Sequence, residues 1–182
     1  MPLAYFISFS TYGSHLPGDS RGWVDADHNI HGTPVRTANS VLLDTVKQQG
    51  IVEYALDSEQ QRQLVLEALM ETCRFRGWCL IAAHIRIHHA HFLVKAECPP
   101  EKVLTAAKAN ATRILKEYLN SREIPIPAKF WAAHGSTRYV WDAKDLDPLT
   151  HYIYHEKGVP MSRFCLNPDP HDAPRNTHGW EK

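Results

Sequence analysis

The run WCLIAAHIRIHHAHFLVKA, Trp78 to Ala96, decides how the rest of the chain is read. It is rich in β-forming residues and describes two strands with almost no turn between them. The second strand carries His89-Ala90-His91 directly ahead of Phe92-Leu93-Val94. Side chains alternate across a strand, so His89 and His91 share one face while Ala90 and Phe92 take the other. Two imidazoles about 6.5–7 Å apart along one face, in apolar surroundings, can close on a single metal ion. Taken alone, the pattern better fits a histidine-rich strand with one exposed polar face, in a chain of 12 histidines.

The segments on either side frame this hairpin. Upstream, Ser58 and Gln61 form a capping box, and Leu64, Val65, Ala68, Leu69 and Cys73 make an apolar stripe at helical spacing. Gly77 ends that helix. Downstream, Pro99-Pro100 introduces a second helix through about Leu119, with Val103, Leu104, Ala107, Ala111, Ile114, Leu115 and Tyr118 inward. Lys102, Thr105, Arg113 and Lys116 fall on its opposite face, which is either simply solvated or a phosphate-contacting stripe. Ile124 to Pro127 is a stiff connector. Phe130 to Trp141 is expected to be a strand broken at His134-Gly135-Ser136 and resumed from Thr137.

At the ends of the chain the signals are less regular. Tyr5 to Thr11 is an aromatic-rich strand, expected to be central in its sheet. Residues 13–57 form a long loop or insertion, in which Val41 to Val46 and Ile51 to Leu56 are expected to pair as a small hairpin. Asp147 and Pro148 open a short helix that Gly158 closes. Four-residue spacing places Tyr152 and Glu156 on one face of it, with Tyr154 roughly opposite. Beyond Pro160 the sequence turns to Pro, Asp, Asn and His and predicts a loosely packed tail.

Composition bounds the function. A chain of 182 residues, 43% hydrophobic and 22% charged, is an ordinary globular domain with a sizeable core. We assign the domain to residues 1–160 and treat 161–182 as a C-terminal extension. No apolar run is long enough to span a membrane, and the first residues do not resemble a secretory signal. Cys73, Cys79, Cys98 and Cys165 form no C-x-x-C pair, which predicts free thiols and a cytoplasmic setting. Net charge is zero, so an anionic partner must be met by a local patch.

Combining strand and late helix gives a chemistry. His89, His91 and Glu156 suit a divalent ion with coordination positions left open. A tyrosine beside them, Tyr152, can attack a phosphorus whose oxygen the ion holds. The same two-histidine, one-carboxylate set also serves mononuclear metal oxygenases, although that reading leaves Tyr152 without a role.

In these motifs the chain resembles the single-tyrosine HUH transposases of the insertion-sequence-200 type, including the REP-associated tyrosine transposases. The resemblance rests on His89-Ala90-His91 followed by Tyr152-Ile153-Tyr154-His155-Glu156. The opening YFISFSTYGSHLPGD and the GSTRYVW strand resemble the same group, so the match spans roughly Tyr5 to Gly158. Ala90 is smaller than the usual central residue of the histidine motif, and Glu156 stands where relatives often carry an amide. The resemblance implies an α+β fold, a ferredoxin-like antiparallel β-sheet with packed α-helices. It implies metal-dependent cleavage and strand transfer of single-stranded DNA near a hairpin, through a 5′-phosphotyrosine intermediate on Tyr152. Mg2+ or Mn2+ would be held by His89, His91 and Glu156. Arg138 and Lys157 are the expected phosphate contacts, with Tyr139, Trp141 or Trp23 available for base stacking, though positions of that kind are more often core. A catalytically silent hairpin-DNA-binding relative would keep the same fold. A homodimer stays open, because some relatives complete the site from the partner's tyrosine helix and others work alone.

Overall fold

The computed structural model describes residues 1–14, 16, 18, 37–48, 50–156 and 158–167. Five antiparallel strands, β1 (Ala4–Thr11), β2 (Cys79–Ile85), β3 (His89–Lys95), β4 (Trp131–Val140) and β5 (Ser162–Cys165), form one sheet in the order β4-β1-β3-β2-β5. Four α-helices accompany it: α1 (Ser40–Gln48), α2 (Glu59–Arg76), α3 (Pro100–Ser121) and α4 (Leu146–Tyr154). The first four strands with α2 and α3 give the ferredoxin-like arrangement expected from the sequence, and β1 lies inside the sheet. The fold is therefore α+β.

Strand alternation splits the sheet into two unlike faces. Tyr5, Ile7 and Phe9 of β1, Ala90, Phe92 and Val94 of β3, and Leu80, Ala83 and Ile85 of β2 point toward α2 and α3. They meet Val65, Ala68, Leu69 and Cys73 from α2 and Val103, Ala107, Ala111, Leu115 and Leu119 from α3, all buried. The other face carries a smaller cluster of Ala4, Ala82, Leu93, Val140 and Ile153, with α4 laid across it. Burying a large aliphatic or aromatic side chain stabilises by about 1.5–3 kcal/mol, so the first face holds most of the folding energy.

Helix boundaries follow their capping chemistry. Ser58 accepts a hydrogen bond from Gln61 N at 3.1 Å while Gln61 Oε1 accepts from Ser58 N at 3.3 Å, the reciprocal box expected for α2. Gly77 closes α2 in the left-handed region at φ 69°. Pro100 supplies the first turn of α3.

Four local expectations are corrected. Val41 to Val46 is helix, not strand. Asn39 Oδ1 accepts from Leu42 N at 3.0 Å, and Leu42, Leu43 and Val46 follow helical spacing. Ile51 to Leu56 is neither helix nor strand, and among the described residues no strand pairs with it. Tyr54 N donates to Tyr12 O and Leu56 N to Ile87 O, which lays this segment along the end of β1 and the β2–β3 turn. The third correction concerns β4, which runs unbroken through His134-Gly135-Ser136. Gly135 is a close approach and not a break, because a Cβ there would stand 2.6 Å from Ser8 O on β1. Lys108 of α3 fastens the same stretch by donating to Ala132 O and His134 O. The fourth lies beyond Pro160, where Ser162 to Cys165 is no loose tail. It is the edge strand beside β2, with Ala83 opposite Phe164 and His84 opposite Arg163.

Among the described residues, no helix is long and apolar enough to cross a membrane.

Candidate metal and phosphate site

The site lies on the less apolar face of the sheet, where α4 ends. In β3, His89 and His91 leave on this face while Ala90 and Phe92 enter the core behind it, as the alternation requires. Opposite them across the ladders stand Ser10 and Ser8 on β1 and, beside His91, His84 on β2. Thr11 fixes the β2–β3 turn from β1, its N–H and its hydroxyl both donating to His88 O.

Glu156 reaches this face by a different route from the one its spacing suggests. The helix opens at Leu146, after a 3₁₀ turn over Ala143–Asp145 that Asp142 caps, and it stops at Tyr154. Asp147 is thus inside the first turn and does not cap it. Glu156 sits on the loop that follows, so helical spacing is not what aligns it with Tyr152. The loop turns back over the sheet, with Gly158 at φ 110° passing so close to Arg86 that a Cβ would stand 2.8 Å from its guanidinium.

That turn brings three of the expected residues together. Glu156 Oε1 lies 3.2 Å from His89 Nε2 and 3.4 Å from His91 Nε2. One ligand atom from each of His89, His91 and Glu156 falls within 4.8 Å of the other two. Atoms each bound about 2.1 Å from one ion lie about 3.0–3.4 Å apart, in octahedral or tetrahedral arrangement, so the spacing fits a divalent cation. Both ring nitrogens of His91 and the Oε2 of Glu156 are buried with no partner in hydrogen-bond geometry among the described residues. A buried polar atom left in this way costs about 1–3 kcal/mol, a cost that an ion would remove at the ligating atoms.

The electrostatics suit a cation. Burial would raise the Glu156 carboxyl, but the close approach of the His91 and then the His89 imidazoles outweighs it and holds the group at about 2. Burial, and then the neighbouring His91, lowers His89. The site therefore offers an ionised carboxylate and a His89 imidazole biased toward its neutral, ligating form.

Tyr152 stands at the edge of this cluster. Its ring centroid is 6.3 Å from that of His91 and 6.3 Å from that of Phe6, which itself stacks on His91 at 5.9 Å. The side chain is 52% exposed, open to a polymer in solvent. Tyr154 is buried, with the Arg163 guanidinium 4.0 Å above its ring. The two tyrosines are thus separated by burial. A cavity of about 420 Å³ lined by Pro148, His151, Tyr152, His155 and Glu156 adjoins the site.

Arg138 is on the same face of the sheet, directly across from Phe6, and half-buried. Lys157 and Trp23 lie outside the described residues. Tyr139 and Trp141 are not core: they are 44% and 65% exposed and stack on each other at 5.9 Å and 10°. On α3, Arg113 is engaged by Glu71 and Glu117.

The sequence reading missed His84. It is 1% exposed, faces Glu156 Oε2 at 3.4 Å, and is driven down to about 4 chiefly by burial, hence neutral. The signal was present. From a two-residue turn at Ile87-His88 back to the irregularity between Leu80 and Ala82, paired positions sum to the same number, which sets His84 opposite His91.

No family model matches the sequence, and no curated protein is similar to it. Among solved structures, the chain is similar to a REP-associated tyrosine transposase bound to a REP hairpin, at 11% identity and a TM-score of 0.47, over 85% of this chain and 67% of that one. It is also similar to a Deinococcus radiodurans protein provisionally classed as a transposase, at 14% identity and a TM-score of 0.43, over 87% and 94% of the two chains.

Proposed function

We propose that this protein cleaves and rejoins single-stranded DNA by a metal-dependent tyrosine transfer, as a transposase does. The observation that carries the proposal is one constellation: His89, His91 and Glu156 with ligand atoms within 4.8 Å, and the exposed Tyr152 ring beside His91.

In this reading the Tyr152 phenol oxygen attacks the scissile phosphorus and forms a P–O bond. The bond from phosphorus to the 3′ oxygen of the preceding nucleotide breaks in line, and that oxygen takes up a proton. The products are a 5′-phosphotyrosine link and a free 3′-hydroxyl. One phosphodiester replaces another, so a second 3′-hydroxyl can reverse the step on a new strand without external energy. A Mg2+ or Mn2+ ion held by His89, His91 and Glu156 would supply Lewis-acid stabilisation of charge on the phosphate oxygens. Phe6 holds the His91 ring by stacking and touches Tyr152 by its edge, which fixes nucleophile and ligand relative to each other.

The DNA partner is read from the open surface around Arg138. Arg138, across from Phe6 on the site's face, is placed to meet a phosphate. The next residue, Tyr139, turns to the opposite face against Tyr5, and with Trp141 stacked on it offers flat apolar surface to unpaired bases at that edge of the sheet. Lys157 follows Glu156 directly and is proposed as a second phosphate contact. A hairpin beside the cleaved strand and a cytoplasmic setting come from the sequence resemblance and are part of the proposal.

The test is incubation with single-stranded hairpin oligonucleotides and Mg2+ or Mn2+. A protein–DNA band that resists denaturation, absent in chelator and absent in His91→Ala, is the expected result. Cleavage with no covalent adduct would point to a nuclease that uses water.

A further inference from the structure

We infer that His84 is a positioning residue that clasps both ends of the loop presenting Glu156. The inference rests on the reading of Glu156 as a metal ligand.

Among the described residues from His155 to Met161 there is no helix or strand, yet Glu156 must hold its carboxylate within 3.4 Å of two imidazoles. His84 reaches both ends of this stretch from beneath. At the near end, its Nδ1 is 3.1 Å from Ile153 O, the last buried turn of α4. At the far end, Met161 N donates to its Nε2 at 3.3 Å, immediately before β5 begins. An acceptor at Nε2 fixes the proton on Nδ1, so the neutral ring donates to Ile153 O and accepts from Met161 N. Both ring nitrogens are used, and neither bond is to a neighbour in sequence.

The same Nδ1 faces Glu156 Oε2 at 3.4 Å, while Oε1 faces His89 and His91. Arg86 Nη1 stands 3.7 Å from Oε2 on the same side. The carboxylate is therefore divided, with one oxygen turned to the two ligand histidines and the other toward the clasp. That division presents Glu156 through a single oxygen and leaves room around an ion for a phosphate. Residues placed in this way behind ligands set metal affinity by about 10–100-fold.

The experiment measures Mn2+ binding by electron paramagnetic resonance and calorimetry on the full chain, with a melting curve for every variant. His84→Ala is expected to bind Mn2+ about 10–100-fold more weakly than the wild type. Because removal of a buried imidazole can unfold β2, two further variants carry the same test. His84→Asn keeps an amide donor near the Nδ1 position, and His84→Gln keeps an acceptor near the Nε2 position. Each is expected to recover part of the affinity, and neither all of it. Wild-type affinity, within twofold, in both amide variants overturns the inference. Wild-type protein that binds no Mn2+, with His91→Ala indistinguishable from it, overturns the metal reading of the site and the inference with it. Binding in the wild type, loss in His91→Ala and full retention in the His84 variants overturns the clasp alone.

Discussion

The two faces of one strand, β3, are built for opposite purposes. Ala90, Phe92 and Val94 are wholly buried in the apolar cluster that β1, β2 and β3 form with α2 and α3, where shape decides. His89 and His91, one residue either side of Ala90, face a half-covered surface with Ser10 and Ser8 across from them on β1 and His84 across from His91 on β2. The first face carries stability and is indifferent to chemistry. The second gives up packing, leaves buried polar atoms without partners and gathers an ionised carboxylate among imidazoles. Protein interiors tolerate such groups only where something else compensates, so the contrast itself locates the site.

Substitutions on the two faces should therefore separate stability from activity, the largest effects coming first. Phe92→Ala is expected to cost about 3–5 kcal/mol in denaturant unfolding, because it empties a fully buried aromatic position. His91→Ala, its direct neighbour, should change stability by less than about 1 kcal/mol while Mn2+ binding and cleavage disappear. Comparable destabilisation by both would make the histidines core residues and end the comparison. Glu156→Gln keeps the shape and removes the charge. It should weaken Mn2+ binding roughly tenfold with some cleavage retained at high metal concentration, since affinity follows ligand charge. The smallest effect sharpens where DNA lies. Arg138→Glu should weaken binding of a single-stranded oligonucleotide and lower its salt slope by about one unit. A slope that does not move would shift the DNA path to the other side of the molecule, along Lys102 and Lys116 on α3.

Much of this contrast could be read before any coordinates. Period-two alternation placed His89 and His91 together and Phe92 behind them, and the capping box at Ser58 fixed the start of α2. What escaped were positions where local signals have two meanings. Gly135 looks like a strand break, but the same absence of a side chain admits Ser8 O from the neighbouring strand. Gly158 looks like a helix terminator, yet the helix has already ended at Tyr154 and the glycine serves the turn over Arg86. Tyr152 and Glu156 were grouped by helical spacing, although the loop after α4 is what sets Glu156 in place. Tertiary hydrogen bonds from His84, sixty-nine residues before Ile153, decide that loop, and no local pattern encodes them. The strand at Ser162 to Cys165 was hidden for the same reason: its pairing partner, β2, lies far back in the chain.

The central claim is that Tyr152 attacks the phosphate, and peptide mapping of the trapped protein–DNA adduct tests it most directly. Tyr152 is exposed beside His91, whereas Tyr154 is buried under Arg163. The nucleotide should be found through a 5′-phosphate on the fragment containing Tyr152. Tyr152→Phe should abolish both adduct and cleavage with the fold unchanged, and Tyr154→Phe should leave both in place. Metal-dependent cleavage that survives in Tyr152→Phe, or an adduct mapped to another residue, would contradict the account.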